Sequence, residues 1–220
     1  MTGYRILYQN LGAEFLASHD QLVARFGKIR AVLFDWDGVF HSGHKNEKRT
    51  SSFSETDSMG VNMLRFGLFL QNGSIPYTAI ISGENNRTAK FWAEREHFNA
   101  VFSGVKDKKV ILETLLEMGI ESDEILFVFD DILDLSLAER VGLRCMVSRS
   151  SNPEFIEFVK KSALAEYISG SNGGNHAVRE ITEMLLNANG LFTRTIEHRI
   201  AYSETYQQYI QLRNKIRTDL

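Results

Sequence analysis

Two aspartates one residue apart, Asp35 and Asp37, follow an apolar run at 29–34 and precede Gly38. If that run is a strand, a backbone that curls after Asp35, as Gly38 permits, turns both carboxylates toward one crevice. One carboxylate can then attack an electrophile while the other handles the proton, and the covalent intermediate splits one hard step into two. A second apolar run, 77–81, leads into Ser82-Gly83, a small hydroxyl on a pliable backbone suited to hold phosphate oxygens. A third feature is Val105-Lys106-Asp107-Lys108-Lys109, which opens a helical stretch. A lysine there adds a full charge to the partial positive charge of a helix N-terminus, an arrangement that asks for an anion nearby. The most apolar run, 125–129, ends in Asp130-Asp131, with Asp134 following. Carboxylates so crowded repel one another unless a cation sits among them, and hard oxygen ligands suggest Mg2+. Each feature alone also has a plain reading: an acidic strand end kept for solubility, a serine that starts a loop, a solvated lysine cluster.

The elements that must position these residues are short apolar runs alternating with helical stretches. Strands are predicted at 29–34, 77–81, 125–129 and 144–147, with weaker ones at 100–102 and 166–168. Helices are predicted at 59–70, 87–97, 107–118, 133–141, 153–161 and 175–187. This alternation implies an α/β fold, a parallel sheet with helices on both faces, which binds ligands beyond the carboxyl ends of its strands. Before it, residues 1–28 carry apolar positions at helical intervals and read as an N-terminal helical extension. The segment at about 39–54 is polar and breaks the rhythm; a small β-hairpin flap above the sheet is expected, with no large cap domain. Residues 29–190 then form the main domain and 191–220 a helical tail, whose Tyr202, Tyr206 and Tyr209 suit packing on the domain.

The 25 Lys and Arg nearly balance the 28 Asp and Glu, so no overall field draws in nucleic acid or an anionic membrane. A hydrophobic share of 43% supplies a sizeable core. No stretch approaches the roughly 20 apolar residues of a membrane span, and no signal segment is evident. The single cysteine, Cys145, lies in an apolar run, suits a buried strand and cannot form an internal disulfide. A cytoplasmic protein acting on a small-molecule phosphate ester is the expectation.

The order of these elements, D-x-D, Ser, Lys and Asp-Asp-x-x-Asp, resembles the haloacid-dehalogenase-type (HAD) phosphatases over residues 29–190. Residues 34–43, 104–112, 129–141 and Gly173-Gly174-Asn175-His176-Ala177-Val178-Arg179-Glu180 further resemble the nearly capless branch. That branch includes the phosphatases of 3-deoxy-D-manno-octulosonate 8-phosphate (KDO 8-P) and of nonulosonate 9-phosphates. The resemblance implies a HAD-type Rossmann-like fold and a phosphoric monoester hydrolase working through an aspartyl-phosphate. Asp35 would be the nucleophile and Asp37 the general acid/base, with Ser82, Gly83 and Lys108 around the phosphoryl group; Lys106 is the alternative lysine. Mg2+ would be bound by the Asp35 carboxylate, the Asp37 backbone carbonyl and Asp130, with Asp131 and Asp134 nearby. A homotetramer, in which neighbours close the open crevice, is also implied.

Three departures from that branch bear on substrate. Ser82-Gly83-Glu84 stands where Thr-Gly-Arg is usual, Thr56-Asp57-Ser58 where Arg-Asp-Gly is usual, and Phe129 replaces a glycine before the paired aspartates. Glu84 would repel a sugar carboxylate, and Arg87, one turn on, is the candidate to replace the missing cation. Phe129 either fills core or strains the strand. The alternatives to an enzyme are a HAD-fold binding or scaffold protein and a phosphate-accepting receiver. The D-x-D on the first strand disfavours the receiver.

Overall fold

Ala31–Phe34 and Ile125–Phe129 are apolar without interruption, the pattern of strands covered on both faces, and every residue of the two is buried. In the computed structural model, which describes residues 3–48 and 50–220, they are neighbours at the centre of a seven-stranded sheet. Met1 and Thr2 of the expected extension, and Arg49 of the expected flap, lie outside the described residues.

In chain order the elements are α1 (Gly3–Gln9), β1 (Glu14–Phe15), α2 (His19–Phe26), β2 (Ala31–Phe34), α3 (Glu55–Asn72), β3 (Tyr77–Ser82), α4 (Arg87–Arg95) and β4 (Ala100–Ser103). Then follow α5 (Ile111–Glu117), β5 (Ile125–Phe129), α6 (Leu135–Ala138), β6 (Leu143–Ser148), α7 (Pro153–Lys161), β7 (Tyr167–Asn172), α8 (Ala177–Ala188), α9 (Phe192–Ile200) and α10 (Glu204–Arg213). The sheet order is β1-β7-β6-β5-β2-β3-β4, parallel except for β1 against β7. The side-chain period of two divides the core. Val32, Phe34, Ile80, Val128 and Cys145 join the cluster under α3 and α8, while Leu33, Ile81, Phe127 and Phe129 join the one under α5 and α7. Cys145 is a buried free thiol in β6, as expected of it.

Three features differ from the expectation. The N-terminal extension is not wholly helical, because Glu14–Phe15 adds an antiparallel edge strand to β7. Two residues carry no alternation from which to read a strand. Among the described residues of 39–54 there is no strand and so no hairpin. A turn held by Asn46, whose side chain bonds the Lys48 and Thr50 amides at 3.0 and 3.2 Å, is followed by loop. A polar two-stranded ribbon with no apolar face to bury has little to hold it. Finally, Phe129 sits in extended β5, buried and stacked on Phe127 at 5.6 Å, so it fills core without strain.

The tail folds back on the domain. Tyr206 and Tyr209 are buried with ring centroids 5.0 and 5.2 Å from Phe66 of α3. The chain end then bridges Asp219 to Ala100, covering the β4 edge, which would otherwise offer unpaired backbone groups.

Candidate active site

The pocket forms where β2, β3, β5 and β6 end. Phe34 is in register with both Ile80 and Val128, so Asp35, the end of β3 and the residues after β5 reach one level. After Asp35 the chain turns sharply. Trp36 is swallowed by the core, stacking on Phe40 at 4.9 Å and donating to Ser51 Oγ at 2.9 Å. Its neighbours Asp35 and Asp37 are thereby left facing the pocket. Gly38 has a φ of 92°, and a Cβ there would lie 2.0 Å from Asp130 Oδ2, so only glycine fits. The loop following β7 seals this turn from outside: a Cβ on Gly173 would lie 1.8 Å from the Gly38 carbonyl oxygen.

Lys108 is buried at the start of a short 3-10 turn, Lys108–Val110, that runs into α5. Its ammonium donates to Asp35 Oδ1 at 2.5 Å and to Asp134 Oδ1. The other oxygen of Asp134 accepts from the amides of Asp130 and Asp131, at 3.2 and 3.0 Å, and so fixes the loop after β5. Asp130 is paired through Oδ2 with Arg149, while its Oδ1 is buried without a hydrogen-bond partner. Asp131 is exposed and lines the mouth of the pocket; its side chain accepts from the Ile132 amide at 2.7 Å. Asp37, partly exposed, receives His41 Nε2 at 3.0 Å, Lys45 Nζ at 2.8 Å and the Ser82 hydroxyl at 3.4 Å.

These contacts push the carboxylates apart electrostatically. Burial, then repulsion by Asp134, raises the proton affinity of Asp35 against the opposing pull of Lys108. Burial, then Asp35 and Asp134, raises that of Asp130 further, with Arg149 opposing. For Asp37, burial acts upward, but the His41 and Lys45 contacts outweigh it and leave the carboxyl below its ordinary range. Burial acts downward on Lys108, yet Asp35 and Asp134 outweigh it and hold the ammonium charged.

Oxygens of Asp35, Asp130 and Asp134 lie within 4.8 Å of one another, all three residues buried. This group fits a hard divalent cation: the donors are all oxygen, and the orphaned Asp130 Oδ1 lacks a partner that a cation would provide.

The pocket, of about 290 Å³, thus brings together Asp35, Asp37, Gly83, Glu84, Lys108, Asp130, Asp131 and Asp134, and Ser82 touches Asp37 from its wall. Arg87 is exposed on α4 and Thr56 on α3, and neither lines the pocket. Lys106 stands at the mouth, donating to the Gly83 carbonyl and to Glu84 at 2.8 and 3.0 Å. Sequence reasoning missed His41, Lys45 and Arg149. Arg149 directly follows β6, so the rule that ligands bind beyond strand ends would have found it; the two loop residues carry no comparable signal.

The chain is similar to 3-deoxy-D-manno-octulosonate 8-phosphate phosphatase KdsC of Escherichia coli K12. The identity is 28% over 174 residues, covering 77% of this chain and 85% of the relative. A structure described as a HAD superfamily (subfamily III A) hydrolase from Legionella pneumophila superposes with a TM-score of 0.68 at 27% identity, over 83% of this chain and 95% of that one. The fold is thus HAD-like, and the chain is similar in sequence to KDO 8-P phosphatases. A third likeness is the KDO 8-P phosphatase of Moraxella catarrhalis, solved with magnesium, phosphate and KDO. It has a TM-score of 0.65 and 25% identity over 81% of this chain and 97% of that one. No family model matches the chain. The likenesses to HAD hydrolases agree with the sheet order and the absence of a large cap among the described residues.

Proposed function

We propose that the chain is a Mg2+-dependent phosphomonoester hydrolase that acts through an aspartyl-phosphate on Asp35. The observation that carries this reading is the meeting, in one pocket, of a buried carboxylate cluster with an unsatisfied oxygen and a second aspartate two residues from the first. Asp35, held by Lys108, forms a bond to phosphorus as the ester oxygen departs, and Asp37 gives that oxygen its proton. The incoming phosphate, being anionic, raises the proton affinity of Asp37 toward the value an acid needs. Asp37 then removes a proton from water, which attacks phosphorus and frees Asp35. Ser82 and Lys108 bear on the phosphoryl oxygens. Asp35, Asp130 and Asp134, with the Asp37 main-chain carbonyl, would hold the cation, whose charge would neutralise the phosphate and orient it.

The substrate in this reading is a sugar phosphate, and KDO 8-P and the nonulosonate 9-phosphates, both sugar acids, are the reference compounds against which it is tested. A neutral or amino-bearing sugar is favoured over a sugar acid. Each basic side chain lining the pocket already engages a carboxylate: Lys45 with Asp37, Lys106 with Glu84, Lys108 with Asp35 and Asp134, Arg149 with Asp130. Assembly as a homotetramer closing the open pocket is part of the proposal, as is a cytoplasmic setting. No helix among the described residues is long and apolar enough to cross a membrane.

The test is hydrolysis of p-nitrophenyl phosphate with and without Mg2+, for wild type and Asp35→Asn. Turnover that requires both the metal and Asp35 is expected. Wild-type turnover in Asp35→Asn removes the assigned nucleophile, and a wild type inert on a broad panel of phosphomonoesters leaves a HAD-fold binding protein instead.

A further inference from the structure

Arg149 has no part in the chemistry above, yet it reaches the centre of the site. It is the first residue past β6, the strand beside β5, so its side chain enters the pocket from the same sheet edge as Asp130. One nitrogen, Nη2, is committed to Asp130 Oδ2, and no other hydrogen bond of this side chain is present among the described residues. The two partners differ in freedom. The Asp130 side chain is 2% exposed and backed by the core, whereas that of Arg149 is 35% exposed, so the arginine is the partner able to move. Its long side chain leaves Asp130 without any change in the backbone.

On the reading of the site as a metal-assisted phosphatase, Asp130 is also wanted by the cation. A guanidinium and a divalent cation on one carboxylate repel each other, so occupancy by one weakens the other. We propose that Arg149 is a phosphate-binding residue that leaves Asp130 when a divalent cation takes that carboxylate, and then closes its fork on the substrate phosphoryl group. A planar guanidinium presents paired N–H donors matched to two phosphate oxygens, which an ammonium does not. Lys108 is committed to Asp35 and Asp134, the two members of the cluster with which Arg149 makes no hydrogen bond. Arg149 therefore supplies the second cationic wall of the phosphoryl site. In the resting protein it stands in for the metal and keeps Asp130 from being a bare buried charge.

The two halves of this exchange predict opposite effects of one substitution. In Arg149→Met, Mg2+ followed by titration calorimetry without substrate should bind more tightly than in wild type, by roughly 10-fold, because a competing cation is gone. Inorganic phosphate, titrated into the Mg2+-loaded protein, should bind more weakly, and KM should rise by roughly 10- to 100-fold, the loss typical of a hydrogen bond to a charged group. Arg149→Lys keeps the charge and loses the fork, so it should restore wild-type Mg2+ affinity while leaving phosphate binding weak. Weaker or unchanged Mg2+ binding in Arg149→Met, together with unchanged phosphate affinity and KM, overturns the exchange and leaves Arg149 a structural clip. The Mg2+ and phosphate titrations do not require turnover. A wild type that binds both ligands with the predicted arginine dependence but hydrolyses nothing sinks the phosphatase reading and supports the role of Arg149.

Discussion

Gly173→Ala adds one methyl group to a loop that touches neither phosphate nor metal ligands, and should nevertheless damage catalysis. The new Cβ would lie 1.8 Å from the Gly38 carbonyl oxygen, 2.5 Å from its carbon and 2.8 Å from the His41 carbonyl oxygen. All three are backbone atoms and no side chain can swing aside. Restoring the Gly38 contact to 3.0 Å demands a displacement of at least 1.2 Å between the loop after β7 and the turn that carries Asp37. Overpacking of this kind costs about 1–3 kcal/mol. For a chain of this size that lowers Tm by roughly 2–12 °C. A misplacement near 1 Å in a catalytic group reduces turnover on the order of 100-fold. The control is Gly119→Ala, where φ is 73° and nothing lies within 4 Å. It meets backbone strain of about 1 kcal/mol with no route to the site. Melting curves and steady-state kinetics on both variants decide the matter. Wild-type kcat in Gly173→Ala, or an equal loss in Gly119→Ala, refutes the claim that this loop positions Asp37.

The raised proton affinities of Asp35 and Asp130 carry a sign. The folded state holds protons that the unfolded chain has released, so stability of the metal-free protein should rise as pH falls from about 8 to 5, by about 1.4 kcal/mol per unit of displacement. Added Mg2+ should raise Tm more at the alkaline end than at the acid end, and a pH-independent effect of the metal contradicts this assignment. Glu84→Arg, which removes a negative charge from the pocket mouth, should improve kcat/KM on KDO 8-P and leave neutral hexose phosphates nearly unchanged; equal effects on both count against Glu84 as a selector. Light scattering should report a homotetramer, and a fully active monomer counts against closure by neighbouring subunits.

The strand that ends at Asp35 and its neighbours were legible because their signals are local. Two buried parallel strands must be apolar throughout, and polar residues that end such strands at one edge have a crevice as their shared surrounding, which joins Asp35, Ser82 and Asp130 from sequence alone. The preference for Lys108 over Lys106 came from the resemblance alone; its physical reason, the burial of Lys108 between two carboxylates, is a three-dimensional fact. The separate fates of Asp131 and Asp134 depended on the 3-10 turn Ile132–Asp134, which swings Asp134 back over the loop and leaves Asp131 at the mouth. His41 and Lys45 reach Asp37 from irregular chain, where no periodicity reports direction. The strand Glu14–Phe15 exists only because β7 offers it an edge, a property of the assembled sheet rather than of two residues.

The central claim is that Asp35 is covalently phosphorylated during turnover. Asp37→Asn should slow release of the intermediate, because no carboxylate then activates water. Acid quenching of that variant with a substrate and Mg2+, followed by peptide mapping by mass spectrometry, should find one phosphoryl group on the peptide spanning Asp35 and on Asp35 itself. A phosphoryl group on any other residue, or hydrolysis by the wild type with no phosphorylated Asp35 in either protein, contradicts the account.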